Sequence, residues 1–162
     1  MISAARIARA AELPALGEIE RAADGVFSSA GIVFPPGPAV VETATDPADV
    51  LVTGDPPVAF AYTGQLDDHL HLHQIAVDPA HAKRGIGTAL MRAVFARAGA
   101  RAVTLTTFAD VPWNGPWYRK LGFTVFDEPG PELAGLVIEE REAGLDALGE
   151  RLVMIRRSPS GT

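Results

Sequence analysis

The most constraining feature of this sequence is the stretch from Leu72 to Ala89, where a strand-like run leads through a glycine-spaced turn into a helix. The apolar run is closed by Asp78-Pro79, and Gly85-Ile86-Gly87 then opens a segment of helical periodicity. Glycine lets the backbone approach a ligand closely, and the first N–H groups of a helix have no partner within it. Together with the helix dipole, these groups favour binding of a phosphate.

The spacing alone leaves several interpretations of this turn open. It can be a tight structural turn that merely needs its two glycines. A dinucleotide-binding fingerprint requires a third glycine where the sequence has Leu90, and a P-loop requires a Gly-Lys-Ser/Thr triplet that is absent. Among the phosphate-binding alternatives, this leaves a pyrophosphate held at the helix start without a metal, with positive charge from Lys83 and Arg84.

Length and composition indicate one globular domain. The 162 residues, 48% of them hydrophobic, can bury a proper core. We expect the domain to span residues 1–157 and the tail at 158–162 to be disordered. The absence of cysteine excludes disulfides, thiolate metal sites and cysteine nucleophiles, and the net charge of −6 argues against a nucleic-acid partner. With no membrane-length apolar run and no signal-peptide pattern, we expect a cytoplasmic protein with no membrane partner.

Hydrophobic periodicity and turn residues predict strands and helices in alternation. Strands are predicted at Ile2–Ala10, Asp49–Thr53, Val58–Thr63, Leu70–Val77, Ala102–Phe108, Phe123–Phe126 and Leu152–Arg156. Helices are predicted at Leu13–Phe27, Gly85–Ala98, Trp113–Leu121 and Pro131–Ala147, with a loop over Gly31–Val40. The three-strand meander must be antiparallel, whereas the following strand–helix–strand unit needs a right-handed crossover between parallel strands. The class is therefore α/β or α+β with a mixed sheet.

Two motifs, in this order, resemble the signatures of the GNAT superfamily of N-acetyltransferases. The turn Arg84-Gly85-Ile86-Gly87-Thr88 is similar to the family's acetyl-CoA signature, Arg/Gln-x-x-Gly-x-Gly/Ala after a strand. The segment Asn114–Phe123 is similar to Asn-x-x-Ala/Phe-Tyr-x-Lys-x-Gly-Phe, and the strand ending at Phe108 precedes it. The resemblance implies the GNAT fold, a mixed central sheet of about six to seven strands flanked by helices. One departure is Ala82, where the family usually has Arg or Gln.

The resemblance implies acetyl-CoA as co-substrate, with no metal. The backbone of Ile75, Ala76 and Val77 is expected to bind the pantetheine arm like an added strand, while the side chains of Ile75 and Val77 also serve the core. The pyrophosphate is expected at Lys83, Arg84, Gly85, Ile86, Gly87 and Thr88, with Lys83 or Arg84 supplying the side-chain contact that Ala82 cannot make. Asn114 and Trp117 are further cofactor-binding candidates. For Asn114, a helix-capping role is the alternative.

Tyr118 matches the family's catalytic acid by position. A phenol near the sulfur can donate a proton to the departing thiolate. The alternative is a tyrosine that is simply packed between Trp117 and Phe123.

The base is sought among His69, His71 and His73, which alternate and so lie on one face of a strand. His73 is nearest the cofactor-binding end, and its imidazole, or the neighbouring Gln74, is the candidate. The alternative is a solvent-facing or core histidine. The His-x-His-x-His pattern also raises a metal site, but the sequence shows no obvious fourth ligand.

The resulting hypothesis is direct transfer of the acetyl group from acetyl-CoA to a primary amine of a small molecule or peptide. The alternatives are another acyl-CoA donor, a non-catalytic acyl-CoA-binding sensor, and a small metal-binding protein built on the histidine strand. The sequence does not identify the acceptor, and it leaves a homodimer open.

Several acidic and aromatic residues have two interpretations. Glu18, Glu20 and Asp24 either attract the substrate's ammonium group or form a solvated helix face. Phe27, Phe34 and Trp113 either line the acceptor pocket or pack in the core. The run at residues 139–142 is most simply a solvent-exposed helix surface.

Overall fold

The computed structural model describes residues 4–34, 37–111 and 114–159. The strands are β1 Arg6–Ile7, β2 Val50–Thr53, β3 Ala59–Leu66, β4 His69–Val77, β5 Val103–Phe108, β6 Thr124–Val125 and β7 Arg151–Arg156. The helices are α1 Leu13–Gly25, α2 Ile86–Ala98, α3 Gly115–Lys120, α4 Pro131–Glu142 and α5 Leu145–Leu148. Among these residues, each helix is too short or too polar to cross a membrane.

The seven strands form one sheet in the order β1-β2-β3-β4-β5-β7-β6. Strands β1, β2 and β3 pair antiparallel. Strands β4 and β5 are parallel, with Leu70 opposite Val103 and His71 opposite Thr104, and β7 pairs antiparallel with both β5 and β6. The mixed sheet and the order of strands and helices predicted from the sequence are thereby confirmed.

The first of two compact units comprises Met1–Gly64 and Leu72–Arg97. Its core packs one face of α1 against the sheet, because Leu16 and Ile19 recur at helical spacing while all of β2 is buried. Phe60 of β3 completes this cluster and is fully buried. Burial of each such side chain stabilises the fold by about 1.5–3 kcal/mol.

The second unit comprises Gln65–His71 and Ala98–Thr162. Its core includes Leu105 of β5 and Met154 of β7, which lie opposite each other in the ladder and are buried. Helix α4 is fixed at its start by Asp67, whose carboxylate accepts hydrogen bonds from the backbone N–H groups of Glu132 and Leu133, each at 2.9 Å. The Glu132 carboxylate accepts one in return from the Asp67 N–H at 2.9 Å.

Some predicted boundaries were wrong. Within the described residues the first strand is Arg6–Ile7, and the predicted end at Ala10 was wrong because Ala10–Glu12 turns into a 3₁₀ helix. The predicted start at Ile2 lies outside the described residues. The single helix predicted over Pro131–Ala147 breaks at Gly144, whose φ of 91° ends α4 and lets α5 begin. The predicted start of α3 at Trp113 and the end of the predicted tail at 160–162 lie outside the described residues. The single domain over 1–157 stays a prediction.

Candidate functional site

The turn between β4 and α2 has an unusual backbone. The side chain of Asp78 accepts a hydrogen bond from Ala80 N at 3.0 Å, which closes a short 3₁₀ turn after the strand. Lys83 and Gly85 then both have positive φ, 64° and 77°. Such a conformation is uncommon for a residue with a side chain, so Lys83 marks a chain reversal that the surroundings hold in place.

The start of α2 follows this reversal directly. The first helical hydrogen bond runs from Ala89 N to Gly85 O at 3.0 Å, so the N–H groups of Ile86, Gly87 and Thr88 precede the hydrogen-bonded turn. The Ile86 side chain is buried, which anchors the helix start. The side chains of Lys83 and Arg84 are exposed. This turn can therefore present backbone donors and two cations to a phosphate, the use predicted for Lys83–Thr88.

At the end of β4, the side chains of Ile75 and Val77 were predicted to serve the core, and binding of the pantetheine arm by the Ile75–Val77 backbone stays a prediction. Ala76 belongs to the buried core cluster, while Ile75 and Val77 are only half-buried. The side chain of Gln74 accepts a hydrogen bond from Ile75 N at 3.1 Å. Gln74, the alternative base, therefore already binds the backbone next to it.

His73 is half-buried, which lies between the solvent-facing and the core alternatives. Its ring centroid lies 4.8 Å from that of Tyr62, with the planes tilted by 33°. Burial lowers the pKa of His73 below its ordinary value, and the negative charge of Asp49 opposes this only in part. The imidazole is therefore neutral near pH 7 and has a lone pair with which to accept a proton.

The two other histidines of β4 have different neighbours. His71 is buried, and its Nδ1 lies 2.8 Å from Oγ1 of Thr104. His69 lies edge-on to Phe126, with 6.1 Å between the ring centroids. Within residues 4–34, 37–111 and 114–159, no three His, Asp or Glu side chains cluster closely enough to hold a metal ion.

In the second unit, Tyr118 lies on the buried face of α3. It is 8% exposed, and its ring centroid lies 5.7 Å from Phe123 and 5.0 Å from Trp117. Burial raises the pKa of the Tyr118 phenol well above its ordinary value, and the positive charge of Arg151 opposes this only in part. The phenol therefore keeps its proton throughout the physiological range, as a proton donor must.

Asn114 directly precedes α3, but its side chain makes no capping hydrogen bond, so the capping alternative was wrong. Its carbonyl instead accepts from Tyr118 N at 2.9 Å. Trp117, on the same helix, is half-buried. Asn114, Trp117 and Tyr118 thus belong to one short element of the second unit, whereas His73 and the Lys83–Thr88 turn belong to the first.

The acidic residues of α1 differ from one another. Glu18 is exposed, as expected for a solvated helix face. Glu20 is 2% exposed and accepts hydrogen bonds from the N–H groups of Val40 and Val41, at 2.7 and 2.9 Å. Asp24 is half-buried, and burial together with the Glu20 charge raises its pKa to about 7. The signal was present in the sequence, because Glu20 falls one turn after the apolar Leu16.

The aromatic pair Phe27 and Phe34 packs edge to face, with 5.4 Å between centroids, while Trp113 lies outside the described residues. The structure thus gives both phenylalanines a packing partner. Their alternative role in an acceptor pocket stays a prediction.

Glu140 contradicts the prediction of a solvent-exposed helix surface over residues 139–142. Its carboxylate accepts from Thr106 Oγ1 at 2.8 Å and lies 3.2 Å from the Arg151 guanidinium. The guanidinium also lies 4.4 Å above the Phe108 ring. A cavity of about 250 Å³ opens beside this ion pair. The helical pattern of α4 does not reveal these contacts of Glu140, because Thr106 lies on β5 and Arg151 on β7.

Comparison with known proteins agrees with this arrangement. Residues 46–125 match the family model of an acetyltransferase (GNAT) domain. Similar solved structures include the N-acetylglutamate synthase of Neisseria gonorrhoeae complexed with coenzyme A and N-acetylglutamate, with a TM-score of 0.66 and 16% identity over 97% of this chain and 35% of the synthase. This chain therefore spans about a third of the synthase's length.

Two solved structures of similar length also resemble this chain in fold. The PaiA N-acetyltransferase of Thermoplasma acidophilum, solved with coenzyme A, has a TM-score of 0.64 and 15% identity over 98% of this chain and 99% of that one. The ribosomal-protein-S18-alanine N-acetyltransferase of Escherichia coli has a TM-score of 0.66 and 20% identity over 97% and 94%. At such identities the likeness shows a common fold. The matching family model, the shared fold and the glycine-spaced turn after β4 together show that the chain belongs to the GNAT superfamily of acetyltransferases.

Proposed function

We propose that this protein is an acetyl-CoA-dependent N-acetyltransferase that moves the acetyl group directly to a primary amine of a small molecule or peptide. The observation that carries the proposal is the turn at Lys83–Thr88. Its two left-handed residues lead into a helix start, and its two exposed cations complement a pyrophosphate. The coenzyme A bound in the two related structures supports the same co-substrate.

The proposed cofactor contacts follow from this placement. The backbone of Ile75–Val77 binds the pantetheine arm, and the N–H groups of residues 85–88 bind the pyrophosphate with help from Lys83 and Arg84. Asn114, whose side chain is not used as a cap, and the half-buried Trp117 contribute from α3. Ala82 is exposed and has no polar side chain, so the two adjacent cations carry the charge at this turn.

The proposed chemistry uses one proton acceptor and one proton donor. When bound, acetyl-CoA supplies an acetyl group activated as a thioester. His73, directly or through a water, takes a proton from the substrate's ammonium group, and the freed lone pair forms the new bond to the acetyl carbon. Tyr118 donates its phenolic proton to the sulfur as the carbon–sulfur bond breaks, and the new amide nitrogen then loses its excess proton, directly or through water, to the phenolate. No covalent intermediate on the protein is needed, in keeping with the absence of cysteine.

Burial favours the uncharged form of both groups. Transfer to a low-dielectric site disfavours the charged form, so it lowers the pKa of a histidine and raises that of a tyrosine. His73 is therefore neutral and Tyr118 protonated at the same neutral pH. This pairing favours an enzyme over an acyl-CoA-binding sensor, which needs neither group. The choice of acetyl over a longer acyl donor, the cytoplasmic location and a homodimer stay predictions.

Calorimetry and a thiol-release assay test the proposal. Acetyl-CoA should bind without added metal, and an amine library should include acceptors that release free thiol. Absence of binding at millimolar acetyl-CoA would overturn the proposal. Binding without turnover of any amine or acyl donor would instead identify a sensor.

Tyr118→Phe tests the acid separately. Loss of general acid catalysis lowers a rate by about 10²–10⁴-fold, whereas the phenylalanine ring keeps the packing against Phe123. We expect kcat to fall by at least the lower figure while the Kd for acetyl-CoA stays within about twofold. An unchanged kcat would exclude Tyr118 as the acid.

A further inference from the structure

We propose that Gly64 and Tyr62 of β3 are positioning residues that hold the His73 imidazole against the strand in one orientation. The inference rests on the proposed function only in that His73 is the proton acceptor. The positioning itself is a claim about geometry and can be tested without turnover.

The space beside Gly64 is filled by the imidazole. A Cβ atom added at Gly64 would lie 2.6 Å from Nε2 of His73, closer than real Cβ atoms approach, and 3.2 Å from Cδ2. Gly64 does not adopt a left-handed φ, unlike Gly54 at the preceding turn. Its backbone conformation therefore suits any residue, and the close approach of His73 is what requires glycine. A glycine inside a strand is otherwise unfavourable, because it adds chain entropy and packs no side chain.

Tyr62 supports the ring from the same side. Residues 62 and 64 are two positions apart on β3 and therefore lie on the same face of the strand. The ring centroids of Tyr62 and His73 are 4.8 Å apart. The Tyr62 hydroxyl lies 3.3 Å from Oγ1 of Thr43, which itself donates to the Val40 carbonyl at 2.7 Å. The tyrosine ring is thereby tied to a neighbouring segment, so it offers the imidazole a fixed surface.

The consequence is a base with a defined direction and little solvent around it. A side chain introduced at position 64 by substitution would push the His73 ring away from the strand and expose it to water. The negative charge of Asp49 acts on His73, and its attraction for the imidazolium is opposed by burial. Displacement of the ring weakens the burial and so raises the pKa of His73 toward the value of a free histidine.

The test compares Gly64→Ala with Gly135→Ala, since Gly135 has open space where a Cβ would be added and no left-handed φ. The chain has four histidines, so the His73 imidazole resonance is assigned by difference with His73→Gln and titrated by NMR. For Gly64→Ala we expect a higher His73 pKa, a kcat lowered by about 10²-fold as for a reacting group misplaced by about 1 Å, and an unchanged Kd for acetyl-CoA. Gly135→Ala should match the wild type in all three.

The outcomes distinguish the positioning role of Gly64 and Tyr62 from the role of His73 as the base. An unchanged His73 titration in Gly64→Ala would overturn the positioning role, whatever the rate does. A shifted His73 titration in Gly64→Ala would support the positioning role. If kcat were nevertheless unchanged both in Gly64→Ala and in His73→Gln, His73 would be excluded as the base. If Gly64→Ala does not fold, Tyr62→Leu removes the ring surface and Tyr62→Phe retains it. We then expect the titration to shift in the first variant only, and equal titrations would overturn the proposal.

Discussion

The raised pKa of Asp24 predicts a specific dependence of stability on pH. Its carboxyl is half-buried on α1, one turn beyond the buried Glu20, and these two causes raise its pKa from 3.8 to about 7. Arg21 opposes the shift but also forms an ion pair with Glu42. As pH rises, the unfolded chain therefore releases this proton before the folded chain does. The free energy of unfolding falls between about pH 4 and pH 7 and is constant above.

The magnitude follows from the two pKa values. A difference between about 7 and 3.8 is worth at most about 4 kcal/mol, at about 1.36 kcal/mol per pH unit. Because Asp24 is only half-buried, solvent screening reduces this, and we expect about 1–2 kcal/mol. Asp24→Asn should remove that loss, since the amide does not titrate. The difference in the free energy of unfolding between variant and wild type should therefore be about 1–2 kcal/mol more favourable to the variant at pH 8 than at pH 4.

Urea unfolding at pH 4 and pH 8 measures this difference directly. Comparing variant with wild type cancels the titration of the other groups. Glu18→Gln is the matched control, because Glu18 lies on the same helix but is exposed, and it should alter the difference by less than about 0.5 kcal/mol. Equal pH dependence in Asp24→Asn and the wild type would refute the reasoning.

Two further predictions concern carboxylates that bind across the second unit. Asp67→Ala removes both acceptors of the α4 N–H groups and should lower the free energy of unfolding by about 2 kcal/mol, whereas Asp68→Asn at the adjacent position should be nearly neutral in the same urea titration. Glu140→Ala leaves the Arg151 guanidinium largely buried without its carboxylate and should cost about 2–3 kcal/mol. Exposed Glu139→Ala should cost less than about 0.5 kcal/mol, and equal effects of the two substitutions would contradict the buried ion pair.

Much of the fold could be predicted from local patterns. The bounds of β4, α2 and β5 were predicted to within one residue. Asp78-Pro79 closes the apolar run of β4, Gly85 opens α2 and Gly99 ends it. The break between α4 and α5 was missed, since Gly144 follows a run of good helix formers and only its φ shows the interruption. The turn after β4 was found because glycine spacing is a local signal.

The functional environment was less predictable where it depends on residues distant in sequence. The alternation of His69, His71 and His73 gave the strand face correctly, but it did not show that His73 lies over a glycine. Gly64 by itself indicates only a weak point in a strand. Its meaning appears only when β3 and β4 are placed beside each other, because the missing side chain is the space that the imidazole fills.

The contacts of the acidic residues were also hard to predict, because they too join residues that are distant in sequence. Glu20, Glu140 and Asp67 each bind a donor at least 20 residues away, and the sequence does not identify that donor. A carboxylate is expected at the surface because most are, and burial is tolerated only when hydrogen-bond donors compensate it. Those donors are the backbone of residues 40–41, the Thr106 hydroxyl and the start of α4, which no periodicity links to their acceptors. Asp24 is half-buried and lies beside the like charge of Glu20. Burial first, and then that charge, raise its pKa, so its neutral form is the one that suits the fold near pH 5.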